Sequence, residues 1–150
     1  MKTSTAAGST LGISAASPAT LNAAGYAALT YTDIGQIEKI GAIGVTFAKV
    51  EFQPLKGAKQ KHKGSADYGS LSPSLAHDPD DAGQTLLRTS SDDATSKLYS
   101  FLVTYPTGEK RYFGGRVFGY PETVDGADSV ITAAPVIEIC TEIVKVAAPA

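Results

Sequence analysis

The chain has very little cysteine, histidine or tryptophan. Cys140 is the only cysteine among 150 residues, there are two histidines, and tryptophan is absent. One cysteine cannot form an internal disulfide or a cysteine-based zinc site. His62 and His77 are not spaced like the paired ligands of a metal site, so the sequence predicts no bound metal.

Long apolar runs are also missing. No segment approaches the ~18 apolar residues of a membrane span. The first 30 residues lack the apolar core of ~7–15 residues that marks a secretory signal. We therefore expect neither a membrane-spanning helix nor a cleaved leader.

A strong charge of one sign is absent as well. Lysine and arginine number 13 against 15 aspartates and glutamates, which gives a formal charge of -2. This balance provides no general attraction to nucleic acid or to an anionic membrane. The length and the 43% share of hydrophobic residues predict one soluble globular domain over residues 1–150.

What is present is mainly β-strand pattern. In residues 98–105, Tyr99, Phe101, Val103 and Tyr105 recur at period two, which predicts a strand with one apolar face. Turn residues follow in 106–110, and residues 111–120 alternate again. The two segments together predict a β-hairpin.

Two other segments carry apolar side chains in strand periodicity. Near the end of the chain, isoleucines 137, 139 and 143 lie on one face of a predicted strand, opposite Glu138, Cys140 and Glu142. In residues 43–52, apolar side chains fall on both faces. Either both faces are buried, as in a subunit contact, or a bulge shifts the register.

The fold class that these patterns predict is mainly β: a curved antiparallel sandwich or partial barrel with one short flanking helix at about 79–90. The first ~25 residues are rich in Ala, Ser, Thr and Gly, and predict an extended arm that other chains must order. A long loop is predicted at about 53–65.

The predicted helix starts in a segment, residues 63–87, that also holds three aspartates around a proline. A calcium loop would need ligands where Ala82 and Thr89 stand, so that interpretation fails. The alternative is a helix entry, with Asp78 as N-cap and Pro79 as the first helical residue.

No catalytic constellation is visible. There is no GxSxG motif, no Walker phosphate loop and no histidine placed beside a serine nucleophile. The sequence predicts no catalytic residue, no cofactor and no enzyme. The chain also has a basic cluster: Lys56, Lys59, Lys61, His62 and Lys63. These side chains could belong to a solvated loop, make ionic contacts with another subunit, or contact nucleic acid, and all three interpretations remain open.

Four phrases in order give the chain a family resemblance. They are NAAGYAAL, TDIGQIEKIGAIG, a central segment with DYGSL and DPDDAGQ, and the ending ADSV…IEI…EIV. Together they resemble the major tail tube proteins of long-tailed, siphophage-type bacteriophages, over nearly the whole chain. The SPS at 72–74 departs from smooth strand alternation, and Pro73 there predicts an edge or a bulge.

The resemblance implies a structural virion protein of the tail tube fold. Its subunits would form hexameric rings that stack into a hollow tube, assembled in the bacterial host cytoplasm, through which DNA passes during ejection. The arm and the 53–65 loop with its lysines would bridge successive rings. Partners would be further copies of the chain and other tail proteins, namely a tape measure, a tail tip and a terminator.

Two further expectations follow from that role. An acidic or neutral lumen would repel DNA phosphates, and Glu138 and Glu142 are candidates to line it; the outer solvent is the alternative for both. For the function, the alternatives are a tube subunit of a cellular contractile or secretion device and a β-sandwich ligand-binding protein.

Overall fold

The computed structural model describes residues 3–149, and within them the chain forms two packed sheets, two helices and a separate hairpin. The helices are α1 (Ala23–Ala27) and α2 (Ala82–Asp92). The strands are β1 (Thr10–Ser14), β2 (Thr32–Asp33), β3 (Ile37–Lys39), β4 (Thr46–Phe52), β5 (Gln60–Asp67), β6 (Ser70–Leu71), β7 (Ser74–Ala76), β8 (Tyr99–Thr104), β9 (Lys110–Gly119), β10 (Glu122–Thr123), β11 (Thr132–Ala133), β12 (Val136–Ile139) and β13 (Val144–Val146).

The larger sheet has seven strands in the order β2-β1-β8-β9-β12-β6, with β13 paired to the start of β9. All of its pairings are antiparallel. The smaller sheet has the order β10-β11-β7-β3 and is also antiparallel. The mainly β, antiparallel fold predicted from the sequence is confirmed.

The chain passes from one sheet to the other at Pro73. Leu71 pairs with Ile137 in the larger sheet, and Leu75 pairs with Ala133 in the smaller one. Proline cannot donate to a strand ladder, so it separates β6 from β7 at this crossing. The irregularity expected at Pro73 is therefore a change of sheet.

The core consists of apolar side chains from both sheets and from α2. Phe101 and Phe113, on neighbouring strands, stack with ring centroids 5.3 Å apart. Leu87 of α2 is fully buried, and the helix packs on β9, β1 and β2. The fully buried strand residues around them include Leu11, Ile13, Leu71, Leu75 and Ile137.

The β8–β9 hairpin follows the sequence prediction. Its turn closes where the Tyr105 N–H donates to the Glu109 carbonyl at 2.9 Å, and Gly108 takes a positive φ of 96° that suits glycine. Tyr112, on the opposite face from Phe113, is also buried and stacks on Tyr26. Both faces of the hairpin therefore take part in packing.

The predicted N-terminal arm is wrong for most of its length. β1 lies inside the larger sheet, between β2 and β8, with Leu11 and Ile13 fully buried. Helix α1 follows, and its Tyr26 hydroxyl shares a hydrogen bond with Thr141. At Gly12 a Cβ would lie 3.2 Å from Tyr31 Cβ, so glycine allows the close approach of the neighbouring segment. Composition alone did not indicate that this segment is buried. Residues 1 and 2 of the predicted arm lie outside the described residues.

Helix α2 exists but starts later than predicted. Its N-cap is Asp81, whose side chain accepts the Gln84 N–H at 2.9 Å, and the helix begins at Ala82. Asp78 instead accepts the Asp80 N–H at 3.0 Å in a turn ahead of the helix. The assignment of Asp78 as N-cap is therefore wrong, because both aspartates suit a helix entry and only the tertiary contacts of Asp81 choose between them. Within the described residues, no helix is long and apolar enough to cross a membrane.

Candidate assembly surfaces

The most exposed element is a hairpin formed by β4 and β5, here called the projecting hairpin (residues 46–67). Every residue of its two strands is exposed except Gly64, which is half-buried. The strands pair with each other and with no other strand among residues 3–149. The predicted 53–65 loop is therefore wrong as a loop: residues 53–59 form the turn, and 60–65 belong to β5. Lysines and glycine in β5 concealed its strand character.

The two faces of the projecting hairpin differ in chemistry. On one face, Glu51 bridges Lys49 at 3.0 Å and Lys59 at 3.4 Å, and the Lys63 ammonium lies 4.9 Å from the centre of the Phe47 ring. The other face carries Ala48, Val50 and Phe52 opposite the β5 residues Gly64, His62 and Gln60. The apolar residues of β4 are thus divided between the two faces: Phe47 lies on the ionic face, and Val50 and Phe52 lie on the apolar face.

Both explanations offered for β4 can now be assessed. The register shifts between Phe47 and Lys49: two steps along β4 are paired with three steps along β5. A bulge is therefore present. The chain itself buries neither face, since Phe47 on one face is 46% exposed and Val50 and Phe52 on the other are 52% and 58% exposed. A contact of these side chains with another subunit stays a prediction.

The predicted basic residues all lie on this hairpin. Lys56 and Lys59 are in its turn, and Lys61, His62 and Lys63 are on β5. Lys61 stands opposite Glu51 in the register, and His62 stands opposite Val50. The structure gathers these side chains on one exposed element, and their contact between rings stays a prediction.

The two candidate lumen carboxylates do not share a strand. Glu138 is on β12, half-buried, and accepts the Ser70 hydroxyl at 2.7 Å. β12 ends at Ile139, so Glu142 lies on the exposed connection to β13. The expected single strand through 137–143 is therefore wrong, because the chain turns at Cys140 and Thr141 to hydrogen-bond Gly114. Ile137 and Ile139 do point into the core as predicted.

The sequence patterns did not predict a second exposed surface, the 124–131 loop. The 124–131 loop joins the edge strand β10 to β11 and is exposed throughout. It presents Val124 and Val130, 72% and 67% exposed, beside Asp125 and Asp128. The available signal was the pair of valines in a turn-rich segment without strand alternation.

Gln84 and Tyr31 are polar side chains that hold the fold together. Gln84 is fully buried and donates to the Gly35 and Ala76 carbonyls at 3.0 and 2.9 Å, while its own carbonyl accepts the Asp78 N–H. Burial raises the pKa of the Tyr31 phenol, and the Tyr112 and Tyr26 phenols raise it further. Tyr31 therefore stays protonated as a donor to the Tyr26 carbonyl.

Metal binding has no assembled ligand set in the described part of the chain. No three side chains of His, Cys, Asp or Glu converge there. Cys140 is exposed, and its Sγ lies 3.4 Å from the Arg116 guanidinium. The predicted lack of catalytic, cofactor and metal sites stays a prediction.

Comparison with known proteins finds similar proteins by structure alone. No protein-family model and no curated protein matches the chain. The SPP1 tail tube matches with a TM-score of 0.69 at 12% identity, over 91% of this chain and 75% of the other. A chain of the anti-feeding prophage baseplate, in a six-fold symmetrised structure, matches with a TM-score of 0.68 at 8% identity, over 97% of both chains.

A third structure extends this comparison. It is the sheath/tube terminator structure of an extracellular contractile injection system, with a TM-score of 0.68 at 8% identity, over 98% of this chain and 99% of the other. The three matches span nearly the whole described fold. The chain therefore has the tail tube fold.

Proposed function

We propose that this protein is a structural virion protein, a subunit of the tail tube of a long-tailed bacteriophage. The observation that carries the proposal is the tail tube fold over nearly the whole chain. Copies of the chain associate into hexameric rings that stack into a hollow tube. The six-fold symmetry of the anti-feeding prophage baseplate supports that ring size.

The projecting hairpin gives the proposal its physical basis. An isolated two-stranded hairpin is at best marginally stable in water, and this one exposes Val50 and Phe52. Contact with another copy would bury these side chains and order the hairpin. An exposed strand pair is an aggregation hazard in a monomer. In a self-assembling tube the same exposed strands provide the contact between subunits.

In this role the protein conducts DNA passively and performs no catalysis. A lumen with carboxylates repels phosphates and lets DNA slide, and Glu138 and Glu142 are the residues we place there. Lysines 56, 59, 61 and 63, with His62, make ionic contacts between rings. The tube is assembled in the bacterial host cytoplasm and becomes part of the virion, with tape measure, tip and terminator proteins as partners.

A second candidate has support from the same comparisons. An extracellular contractile injection system contributes one of the matching structures, at nearly the same TM-score as the phage tail tube. The chain would then be a tube subunit of a cellular device that shares the ring architecture. Neighbouring genes for capsid and portal proteins separate the phage tail from such a device.

Self-assembly of the purified full chain tests the proposal. We expect hollow tubes or rings of uniform width by negative-stain electron microscopy, and a rise in sedimentation coefficient with protein concentration. Phe52→Ser removes an exposed ring from the projecting hairpin and should raise the concentration needed for assembly. Phe118→Ser, the same change at a similarly exposed position outside the hairpin, is the matched control.

Two results would contradict the proposal. One is a folded chain that stays monomeric at every concentration. The other is assembly into compact oligomers without a central channel. If the Phe52→Ser variant forms tubes as well as the wild type does, the tube function stands. The hairpin then has no part in the contact between subunits.

A further inference from the structure

The tip of the projecting hairpin (residues 52–61) combines apolar and basic side chains without a compensating carboxylate. Phe52 is 58% exposed and Leu55 is fully exposed. Lys56, Lys59 and Lys61 lie within the same ten residues, which contain no Asp or Glu. Of these three lysines, only Lys59 has an ion-pair partner among residues 3–149. That partner, Glu51, lies outside the tip.

The 124–131 loop has the complementary composition. Val124, Val130 and Ile131 are exposed there, and the loop contains Asp125 and Asp128 but no Lys or Arg. Within the described residues neither aspartate takes part in an ion pair. The loop is thus an apolar and acidic surface that the subunit itself does not cover.

The positions of the two surfaces in the fold decide how they could meet. The smaller sheet runs β10-β11-β7-β3. The loop leaves edge strand β10, while the projecting hairpin follows β3, the opposite edge strand, after a connection at 40–45. The seven residues of β4 place the tip about 23 Å from the base of the hairpin, at about 3.3 Å per residue.

Surfaces at opposite edges of one sheet suit a heterologous contact. Each copy would offer its tip to one neighbour and its loop to another, and repetition of that contact closes a ring or continues along a stack. Opposite charges would set the orientation of the contact, and the exposed Phe52, Leu55, Val124 and Val130 would supply apolar area.

We propose that the hairpin tip of one copy docks on the 124–131 loop of a second copy. This inference rests on the proposed function, since it names the receiving surface for the hairpin within the tube. Phe52 and Leu55 pack against Val124 and Val130, and Lys56 and Lys61 face Asp125 and Asp128.

A charge exchange on the full chain tests this contact. One variant carries Lys56→Glu and Lys61→Glu, the other Asp125→Lys and Asp128→Lys. Each variant alone places like charges across the contact, so the concentration for half-maximal association by sedimentation velocity should rise at least about tenfold. In an equimolar mixture every tip meets a loop of opposite charge, and association should return to near the wild-type concentration.

Controls separate this contact from general charge effects. The pair Asp80→Lys and Asp92→Lys changes the net charge as much as the loop variant does, at exposed positions outside both surfaces. We expect it to associate like the wild type, and circular dichroism checks that every variant is folded. Raised salt should weaken wild-type association.

The outcomes distinguish this inference from the proposed function. Wild-type protein that never associates overturns both. The docking contact is overturned if either charge-reversed variant associates like the wild type. It is also overturned if the mixture of the two variants does not recover wild-type association. In both cases the tube proposal still stands. The tip would then serve another surface or another tail protein.

Discussion

Gly35 donates its backbone N–H to the Asp81 carboxylate at 3.0 Å, across 46 residues of sequence. The same oxygen, Oδ2, accepts the Gln84 N–H at 2.9 Å and so caps α2. Gly35 lies between β2 of the larger sheet and β3 of the smaller one. One carboxylate therefore joins the helix entry to the segment that connects the two sheets.

Asp81→Ala should destabilise the protein by about 1–3 kcal/mol. The change removes a helix cap and leaves the Gly35 N–H without its partner. Asp78→Ala is the matched control, since among the described residues its carboxylate accepts only the Asp80 N–H, in a turn. Urea unfolding of both variants measures the difference, and a larger loss for Asp78→Ala would restore it as the principal cap.

Gly83→Ala should be destabilising although alanine is the better helix former. A Cβ at Gly83 would clash with the Asp33 carbonyl oxygen and lie 2.6 Å from Ile34 Cα, and both are backbone atoms that can yield only if the main chain shifts. We expect a loss of about 1–3 kcal/mol in place of the gain of about 1 kcal/mol at an open helix site.

Gly126→Ala provides the comparison for Gly83. Apart from its chain neighbours, no described residue has a heavy atom within 4 Å of the added Cβ, so the change should stay within about 0.5 kcal/mol. Thermal unfolding of the two variants gives the result. Equal stability for both would mean that α2 packs less closely on β2 than the structure has it.

Leu11→Ala tests whether the N-terminal segment belongs to the core. Leu11 is fully buried in β1, so its truncation should cost about 2–5 kcal/mol in the free energy of unfolding. Leu21→Ala is the same change at a side chain that is 63% exposed, and should cost less than about 0.5 kcal/mol. An equally small effect at both sites would support the free arm that the sequence predicted.

Asp93 should contribute stability that disappears in acid. The Thr95 hydroxyl and the Thr95 N–H donate to its carboxylate, and the Tyr99 hydroxyl adds a third bond, so the Asp93 pKa lies below its usual value of 3.8. A lowered pKa in the folded state gives stability that is present above the unfolded pKa and lost as pH falls through the folded pKa.

Asp93→Asn makes this pH dependence measurable. At pH 7 the variant should melt below the wild type. The gap should begin to narrow as pH falls to about 4, where the carboxyl of the unfolded chain takes up its proton, and should close only below the lowered pKa of the folded state. Asp92→Asn is the control, because the Asp92 carboxylate has no hydrogen bond in the described part of the chain. A gap of constant size from pH 7 to pH 3 would argue against an ionised Asp93 as the source.

How far the sequence predicted the structure depended on whether the signal was local. The alternation of Tyr99, Phe101 and Val103 predicted β8, and turn residues at 106–110 predicted the hairpin with β9, since both patterns report on neighbouring residues. The helix at 82–92 was also predicted, with an error of three residues at its start. Asp78 and Asp81 are equivalent caps by composition, and only the contact with Gly35 separates them.

The candidate surfaces were harder to predict because they depend on where strands end and what covers them. The lysines were recognised as a cluster, but the strand pairing of Val50 with His62 turned the expected loop into a hairpin with two different faces. The 124–131 loop was missed altogether. Its valines become unusual only once the fold leaves Val124 72% and Val130 67% exposed.

The sequence by itself determined the strand-rich composition, the central hairpin, the helix, and the family whose fold the structure shares. Tertiary structure decided that β1 enters the larger sheet, that Pro73 divides two sheets, and that the hairpin tip and the 124–131 loop leave opposite edges of one sheet. The physical reason is range: periodicity and turn chemistry act over a few residues, whereas sheet order and exposure are set by contacts between segments distant in the chain.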